Sequence, residues 1–191
     1  MSLKRNQHKQ DRHQLLVDKL QENPFLTDEE LAELLSVSVP TIRLDRLELG
    51  IPELRVRTKE FAEQFYGQIR SLGKDEVIGD ILELEIGKRA VSVLEVKKDM
   101  VFSKTKILRG HYLFAQANSL AVALINADVA LTGRASVRYL APAFLKDRVV
   151  TCAEVVAQKG NSTVINVNCK VGSTEVAKGC FTIVAKEMRG R

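Results

Sequence analysis

Apolar residues recur at helical spacing through the N-terminal quarter of the chain and predict short amphipathic helices there. The first helix is predicted from about Lys9 to Glu22, because Leu15, Leu16 and Leu20 recur at the spacing of a helix. Asn23-Pro24 ends it, since proline cannot continue the hydrogen bonding of the preceding turn.

A second short helix is predicted directly after Thr27, where the sequence has the form of a capping box. The Thr27 hydroxyl can accept a hydrogen bond from the amide three residues on, and the Glu30 carboxylate can reach back to the Thr27 amide. Leu31, Leu34 and Leu35 then form the apolar stripe that is expected to face inward.

A third helix follows a tight turn at Ser36-Val37, and Ser38 is placed to cap it. Pro40 falls in the first turn, where proline is tolerated, and Ile42 and Leu44 are the apolar residues. The polar residues near the start are Thr41, Arg43, Asp45 and Arg46. This arrangement is typical of a helix-turn-helix, whose second helix enters the major groove of DNA. A small helical hairpin without a DNA role is the alternative, and the pattern favours DNA binding.

A further amphipathic helix is predicted from Pro52 to about Leu72, after the break at Gly50. Its apolar stripe consists of Leu54, Phe61, Phe65, Ile69 and Leu72. A plain linker does not need such a stripe, so this helix is expected to dock on another part of the protein. Its opposite face carries Arg55, Lys59 and Glu63.

After Gly73 the pattern changes to β-strands around one long helix. The helix is predicted from Arg109 to about Ala127 and is apolar on nearly all sides, as expected for a buried helix. Strands are predicted at residues 77–85, 90–96, 129–135, 149–158, 162–171 and 175–185. One long central helix wrapped by an antiparallel sheet is the hot-dog arrangement, which belongs to the α+β class.

These changes of pattern divide the chain into three segments. Residues 1–50 are predicted to form a helix-turn-helix domain, residues 51–72 an amphipathic linker helix, and residues 73–191 a hot-dog domain. Charge is divided as well, with 11 Lys/Arg against 12 Asp/Glu through Leu72 and 18 against 12 from Gly73 onward. The excess positive charge in the hot-dog domain suggests that this domain has an anionic partner of its own.

Composition argues against several classes of protein. No apolar run approaches the roughly 20 residues that span a bilayer, and the polar N-terminus has no signal-peptide core. Cys152, Cys169 and Cys180 are widely spaced and are predicted to be reduced thiols in the core of a cytoplasmic protein. The three histidines are too scattered for a metal site, and no cofactor is expected. The motifs of P-loop ATPases, Rossmann oxidoreductases, zinc proteases and serine hydrolases are absent.

Arg109 stands out in the hot-dog domain because it directly precedes the central helix at Gly110. A helix N-terminus favours anions, and a guanidinium beside it can clamp a carboxylate through two hydrogen bonds. A plain acyl chain does not need that charge. From the residues alone, an ion pair with a neighbouring carboxylate or a simple surface position is the more common arrangement.

The hot-dog domain resembles the acyl-CoA thioesterases of this fold, from the central helix through Arg138-Tyr-Leu-Ala-Pro-Ala-Phe-Leu-Lys-Asp147. In those enzymes a carboxylate several residues into the helix helps to activate water for attack on the thioester. Matching the turn at Gly110-His111 places Asn118 at that position. An amide cannot act as a general base or nucleophile, so no catalytic residue is predicted. Asn118 can hydrogen-bond a carbonyl of a ligand, or it can simply fix the position of the helix.

Three stretches together resemble the FapR family, bacterial repressors of fatty-acid and phospholipid synthesis genes. They are Val37-Ser-Val-Pro-Thr-Ile-Arg-Leu-Asp-Arg-Leu47, Ile51-Pro-Glu-Leu-Arg55 and Arg109-Gly-His-Tyr-Leu-Phe-Ala-Gln-Ala-Asn-Ser-Leu120. The resemblance covers nearly the whole chain and implies a homodimer that binds double-stranded operator DNA, is released by malonyl-CoA and has no membrane association. It further implies that Arg109 holds the malonyl carboxylate. The other implied effector-binding residues are Phe102, Gly110, His111, Asn118 and Leu131.

Contacts with DNA follow from the position of the recognition helix. Thr41, Arg43 and Arg46 are predicted to meet the major groove, and Arg55 and Arg57 to meet phosphates or a minor groove. The amphipathic linker helix is the expected two-state element between DNA and effector. Two other functions stay open: a thioesterase with a helical N-terminal appendage, and a helical hairpin that binds protein rather than DNA.

Overall fold

The computed structural model describes the backbone of residues 2–186 and the side chains of residues 8–186. The chain divides into two compact units, Met1–Phe61 and Ala62–Arg191. The first unit contains α1 (Ser2–Glu22), α2 (Asp28–Leu34) and α3 (Val39–Glu48), and α4 (Leu54–Tyr66) runs across the boundary. The elements of the second unit are β1 (Asp80–Glu85), β2 (Arg89–Glu95), α5 (Gly110–Ala123), β3 (Val129–Tyr139), β4 (Arg148–Lys159), β5 (Ser162–Val171) and β6 (Thr174–Lys186).

The helices α2 and α3 are capped as the sequence predicts. Thr27 Oγ1 accepts a hydrogen bond from the Glu30 amide at 3.1 Å, and Glu30 Oε2 accepts one from the Thr27 amide at 2.7 Å. Ser38 Oγ accepts from the Thr41 amide at 3.4 Å, and Pro40 lies in the first turn of α3. Two capped helices joined by a short turn confirm the helix-turn-helix, while α1 begins earlier than predicted.

The core of the first unit lies where the three helices meet. Leu16, Leu31 and Ile42 are fully buried there. Three leucines of the predicted apolar stripes are exposed, namely Leu15, Leu34 and Leu44. The core is small, so Leu16, Leu31 and Ile42 fill it and the leucines on the other sides of the same helices remain in solvent.

The amphipathic stripe of α4 is divided between the two units. Phe61 packs edge-on against Phe25 in the first unit, with 5.0 Å between the ring centres. Phe65, Ile69 and Leu72 pack into the core of the second unit. The helix is shorter than predicted, because Gly67 follows its last residue and the chain beyond is tied to the second unit, where Ser71 Oγ donates to Val122 O at 3.0 Å.

The second unit is one antiparallel sheet with α5 packed on its inner face. The strand order is β1-β2-β4-β5-β6-β3, so β3 is an edge strand. Gln116, fully buried on α5, donates from Nε2 to Ser92 Oγ on β2 and to Val149 O on β4, at 3.1 and 3.2 Å. A long helix held inside an antiparallel sheet confirms the predicted α+β hot-dog class. Strand β3 extends beyond its predicted end to Tyr139, because it stays paired with β6.

Candidate DNA-binding and effector-binding sites

One exposed face of α3 carries residues at helical spacing: Pro40, Arg43, Leu44 and Leu47. We call these four residues the recognition face. Leu44 and Leu47 are 61% and 74% exposed, and apolar side chains of this kind suit contact with the methyl group of thymine. Thr41 lies half-buried beside the face. Arg43 lies on the predicted face, but the two leucines were not predicted as DNA contacts, because an apolar residue such as Leu44 is expected to face the core.

Arg46 is a structural residue, which corrects its predicted role as a base contact. Its side chain is buried and donates to both Asp28 carboxylate oxygens, at 2.8 and 2.9 Å, and to Ile51 O at 3.2 Å. A guanidinium held in this way cannot reach base edges without breaking all three hydrogen bonds. Arg46 therefore joins α3 to the start of α2 rather than facing DNA.

Arg57 is likewise committed to the interior of the first unit, which corrects its predicted contact with phosphates. Its guanidinium donates to the carbonyl oxygens of Pro24, Pro52 and Leu26, at 3.1, 2.6 and 2.7 Å. Burial lowers the pKa of this arginine below its ordinary value, and the nearby positive charge of Arg46 adds to the effect. Arg55 is exposed and makes no ion pair with any described residue, so it remains a candidate for phosphate contact.

Arg109 lies at the N-terminus of α5 and is tied to the loop before that helix. Its amide and its Nε both donate to Met100 O, at 3.0 and 3.3 Å. Its Nη2 donates to Asp99 O and to the Tyr112 hydroxyl, and the guanidinium carbon lies 5.2 Å from the Tyr112 ring centre. Among the described residues, no carboxylate pairs with Arg109 and Nη1 has no acceptor. The positive charge is therefore positioned but not neutralised, as an anion site requires.

Gly110 lies at a close approach between α5 and β3. A Cβ atom there would lie 3.2 Å from ring atoms of Tyr139, whose hydroxyl donates to Gly110 O at 3.1 Å. His111 follows in an exposed position, with its ring centre 4.3 Å from that of Tyr112. Gly110 and His111 thus accompany Arg109 at one end of α5, and their roles with a ligand stay predictions.

Asn118 joins α5 to the edge strand β3. Its Oδ1 accepts a hydrogen bond from Thr132 Oγ1 at 2.6 Å, and Leu131 precedes that threonine in an exposed position. Phe102 is exposed in the loop between β2 and α5. The Asn118–Thr132 hydrogen bond was not predicted, because the two residues lie on different elements and no sequence motif links them.

The cysteines differ in part from the prediction of core thiols. Cys169 is buried, and burial raises the pKa of its thiol. Cys180 is exposed and Cys152 is half-buried, and all three are free. Within residues 2–186 no group of three His, Cys, Asp or Glu side chains is arranged to hold a metal ion. No helix in the same range is long and apolar enough to cross a membrane.

Comparison with known proteins decides the family. A model of DeoR-like helix-turn-helix domains matches residues 12–65. A transcription factor FapR from Caldanaerobacter subterraneus subsp. tengcongensis is 49% identical over 94% of this chain and 90% of its own length. A transcription factor FapR from Geobacillus sp. is 52% identical over 91% of this chain and 88% of its own length. The chain belongs to the FapR family. FapR proteins are transcription factors, so this chain is a DNA-binding transcriptional regulator.

Solved structures similar to this FapR-family protein share the hot-dog fold of its second unit. A virulence protein from Campylobacter jejuni matches with a TM-score of 0.62 and 20% identity, over 67% of this chain and 92% of its own length. A hypothetical thioesterase with coenzyme A from Streptococcus pneumoniae matches with a TM-score of 0.55 and 18% identity, over 67% of this chain and 98% of its own length. At these identities the likeness shows the fold alone.

Proposed function

We propose that this FapR-family regulator represses transcription by binding operator DNA as a dimer, and that malonyl-CoA releases it. The observation that supports malonyl-CoA as the effector is the position of Arg109 at the N-terminus of α5. Its Nε and Nη2 donate hydrogen bonds, but its Nη1 has no acceptor among the described residues. A carboxylate entering there would meet both the guanidinium and the positive end of the helix dipole. Malonyl-CoA carries such a carboxylate at the end of its acyl group, and acetyl-CoA does not. The similar fold of a CoA-bound neighbour supports the thioester part of the proposal.

The same site is proposed to bind without turnover. Asn118 stands where the thioesterases that this domain resembles place a carboxylate, and its Oδ1 already accepts a hydrogen bond from Thr132. An amide does not activate water as a general base near neutral pH. A bound thioester would therefore be recognised rather than hydrolysed.

The experiment is a titration of protein against a labelled DNA duplex that the protein selects from a random pool, with and without ligand. We expect malonyl-CoA to weaken DNA binding strongly, and acetyl-CoA and free CoA to leave it nearly unchanged, with no thiol released in any case. Malonyl-CoA that leaves operator affinity unchanged would defeat the repressor proposal, and steady thiol release would favour the thioesterase.

The edge strand β3 supports the proposed dimer. It is 11 residues long and pairs with β6 on one side only. Its exposed residues include Leu131 and Tyr139, 49% and 52% exposed. A long edge strand with apolar side chains is a natural site for pairing with a second copy.

Replacing Leu131 with lysine is expected to convert the dimer to a monomer, because a charge on this edge opposes pairing. Light scattering during gel filtration should show the mass fall from twice 21.3 kDa toward 21.3 kDa. Val156→Lys is the matched control, since Val156 is similarly exposed on the internal strand β4. A dimer that survives the Leu131 change but not the control would place the interface elsewhere.

Arg43→Ala and Arg46→Ala are expected to have different effects, although both arginines belong to α3. Loss of Arg43 from the recognition face should weaken DNA binding by about 1–3 kcal/mol and change the melting temperature little, because its 3.3 Å ion pair with Asp28 is made by an exposed arginine. Loss of buried Arg46 should instead destabilise the fold by about 3 kcal/mol, because it leaves Asp28 without its main partner. Thermal melts and DNA titrations of both variants test this, and equal melting temperatures would contradict it.

A further inference from the structure

The outer face of the sheet, opposite α5, carries a cleft of about 800 Å³ that crosses β2, β4, β5, β6 and β3. Its cations are Arg89, Arg138, Lys170 and Lys178. None of the predicted effector-binding residues lines it. Four of the 18 lysines and arginines after Gly73 therefore lie on a face that the proposed effector site does not use.

Strand register places two of these cations side by side. Cys152 on β4 is paired with Asn168 on β5, Asn168 with Lys178 on β6, and Lys178 with Arg138 on β3. Val150, the neighbour of Cys152 along β4, is paired with Lys170. Like charges directly opposite each other on one face destabilise a sheet unless something neutralises them.

Carboxylates neutralise only one of the four cations. Arg89 lies 3.2 Å from Glu83 and 3.5 Å from Glu154. Arg138, Lys170 and Lys178 have no carboxylate within 4 Å among the described residues. Glu175 is paired with Lys170 in the strand register, but its Oε1 accepts a hydrogen bond from Asn168 Nδ2 at 2.6 Å.

Neutral polar groups also line the cleft, from Ser136, Asn166 and Asn168. One carboxylate, Glu154, lines it as well, beside Arg89. Three cations without a carboxylate partner outweigh the single carboxylate of the lining, so a ligand that fits this cleft carries several negative charges.

We propose that this cleft binds a small phosphorylated molecule with at least two negative charges, of the size and class of a nucleoside diphosphate. Its phosphates would lie among Arg138, Lys170 and Lys178, and its neutral part would meet the Asn166 amide and the Ser136 hydroxyl. The volume falls within the roughly 300–1,000 Å³ of small-ligand sites, whereas a DNA backbone needs a long open surface rather than a cleft. The site is separate from Arg109, which lies at the start of the helix on the other face of the sheet.

The test is calorimetric titration of the full chain with ADP, pyrophosphate and adenosine. We expect ADP and pyrophosphate to bind at one site per chain and adenosine to bind far more weakly. Arg138→Gln and Lys178→Gln should each weaken ADP binding roughly tenfold, as expected for loss of a charge-assisted contact. Lys159→Gln removes the same charge from β4 outside the cleft and should leave ADP binding unchanged, as should Arg109→Ala.

A second readout locates the ligand. In nuclear magnetic resonance spectra, the side-chain amide signals of Asn166 and Asn168 should shift on addition of ADP, and Lys178→Gln should remove that shift. The proposal would be overturned if Lys159→Gln weakened ADP binding as much as the cleft variants do, or if ADP and pyrophosphate showed no saturable binding. The cleft would then be only a charged surface. The proposal would also be overturned if Arg138→Gln and Lys178→Gln weakened binding of duplex DNA but not of ADP. This face would then be assigned to the operator.

Discussion

Arg109→Ala is expected to abolish the proposed preference of this protein for malonyl-CoA over acetyl-CoA. In the wild type we expect malonyl-CoA to raise the melting temperature much more than acetyl-CoA or free CoA does. A bidentate arginine–carboxylate contact contributes roughly 1.5–3 kcal/mol, so its loss should weaken malonyl-CoA binding by about 10- to 100-fold. Binding of acetyl-CoA should change little, because that ligand has no carboxylate to lose.

Two further variants separate the role of Arg109 from general charge. Lys104→Ala removes an exposed cation from the loop before α5, and any effect should be equal for all three ligands. Arg109→Lys keeps the charge but cannot make two parallel hydrogen bonds, so its preference for malonyl-CoA should be intermediate. An equal response of the wild type to all three ligands would mean that Arg109 is not the carboxylate reader.

Asp45→Ala is expected to unfold or strongly destabilise the first unit. Asp45 is buried in α3, where Arg12 donates to both of its oxygens, at 2.6 and 2.9 Å, and His13 Nε2 lies 2.9 Å from Oδ1. Removing one partner of a fully buried ion pair costs about 3–5 kcal/mol, and this change should fall near the lower end because 23% of the Arg12 side chain is exposed. Circular dichroism of helix content during urea unfolding should show the first unit melting earlier.

Glu48→Ala is the matched control for this prediction. Glu48 lies one turn further along α3 and pairs with Lys9 at 2.5 Å, but that pair is exposed. An exposed ion pair contributes about 0–1 kcal/mol, so this change should leave unfolding nearly unaltered. Similar destabilisation by both changes would show that the Asp45 contacts contribute no more to the free energy of unfolding than an exposed ion pair does.

Acid should destabilise the first unit through the same carboxylates. Burial raises the pKa of Asp45, but the hydrogen bonds from Arg12 and His13 outweigh burial, and the net pKa is lowered. The pKa of Asp28 is lowered in the same way, with hydrogen bonds from Arg46 and Arg43 outweighing burial. A lowered pKa in the folded state stabilises the fold above the unfolded value of about 3.9. That stability is lost as pH falls below about 4, and urea midpoints measured from pH 6 to pH 3 should decline mainly in that range.

Local features of this fold were predictable from sequence, and distant pairings were not. The caps at Thr27 and Ser38 depend on residues three positions away, so the sequence contains the whole interaction. Arg46 and Arg57 resemble exposed basic residues in sequence because their acceptors lie elsewhere along the chain. For Arg57 those acceptors are carbonyl oxygens between α1 and α2, and a backbone carbonyl has no residue type to recognise.

In the candidate effector site, too, contacts between residues close in sequence were predictable and contacts between distant residues were not. Tyr112 lies one helical turn after Arg109, so its contact with the guanidinium follows local spacing. The partner of Asn118 could not be predicted, because the hydrogen bond to Thr132 depends on how β3 is laid against α5. The exposure of Leu44 depends on which residues the other two helices bring to the core.

The three carbonyl contacts of Arg57 limit where α4 can bend or move. Because the guanidinium joins the start of α4 to the chain between α1 and α2, the first turn of α4 must travel with the helix-turn-helix as one rigid piece. Pulling it away would strand a buried charge, at a cost of several kcal/mol. Any bend of α4 that the proposed release by malonyl-CoA requires must therefore lie after Arg57, in the remainder of α4 or in the non-helical stretch that begins at Gly67.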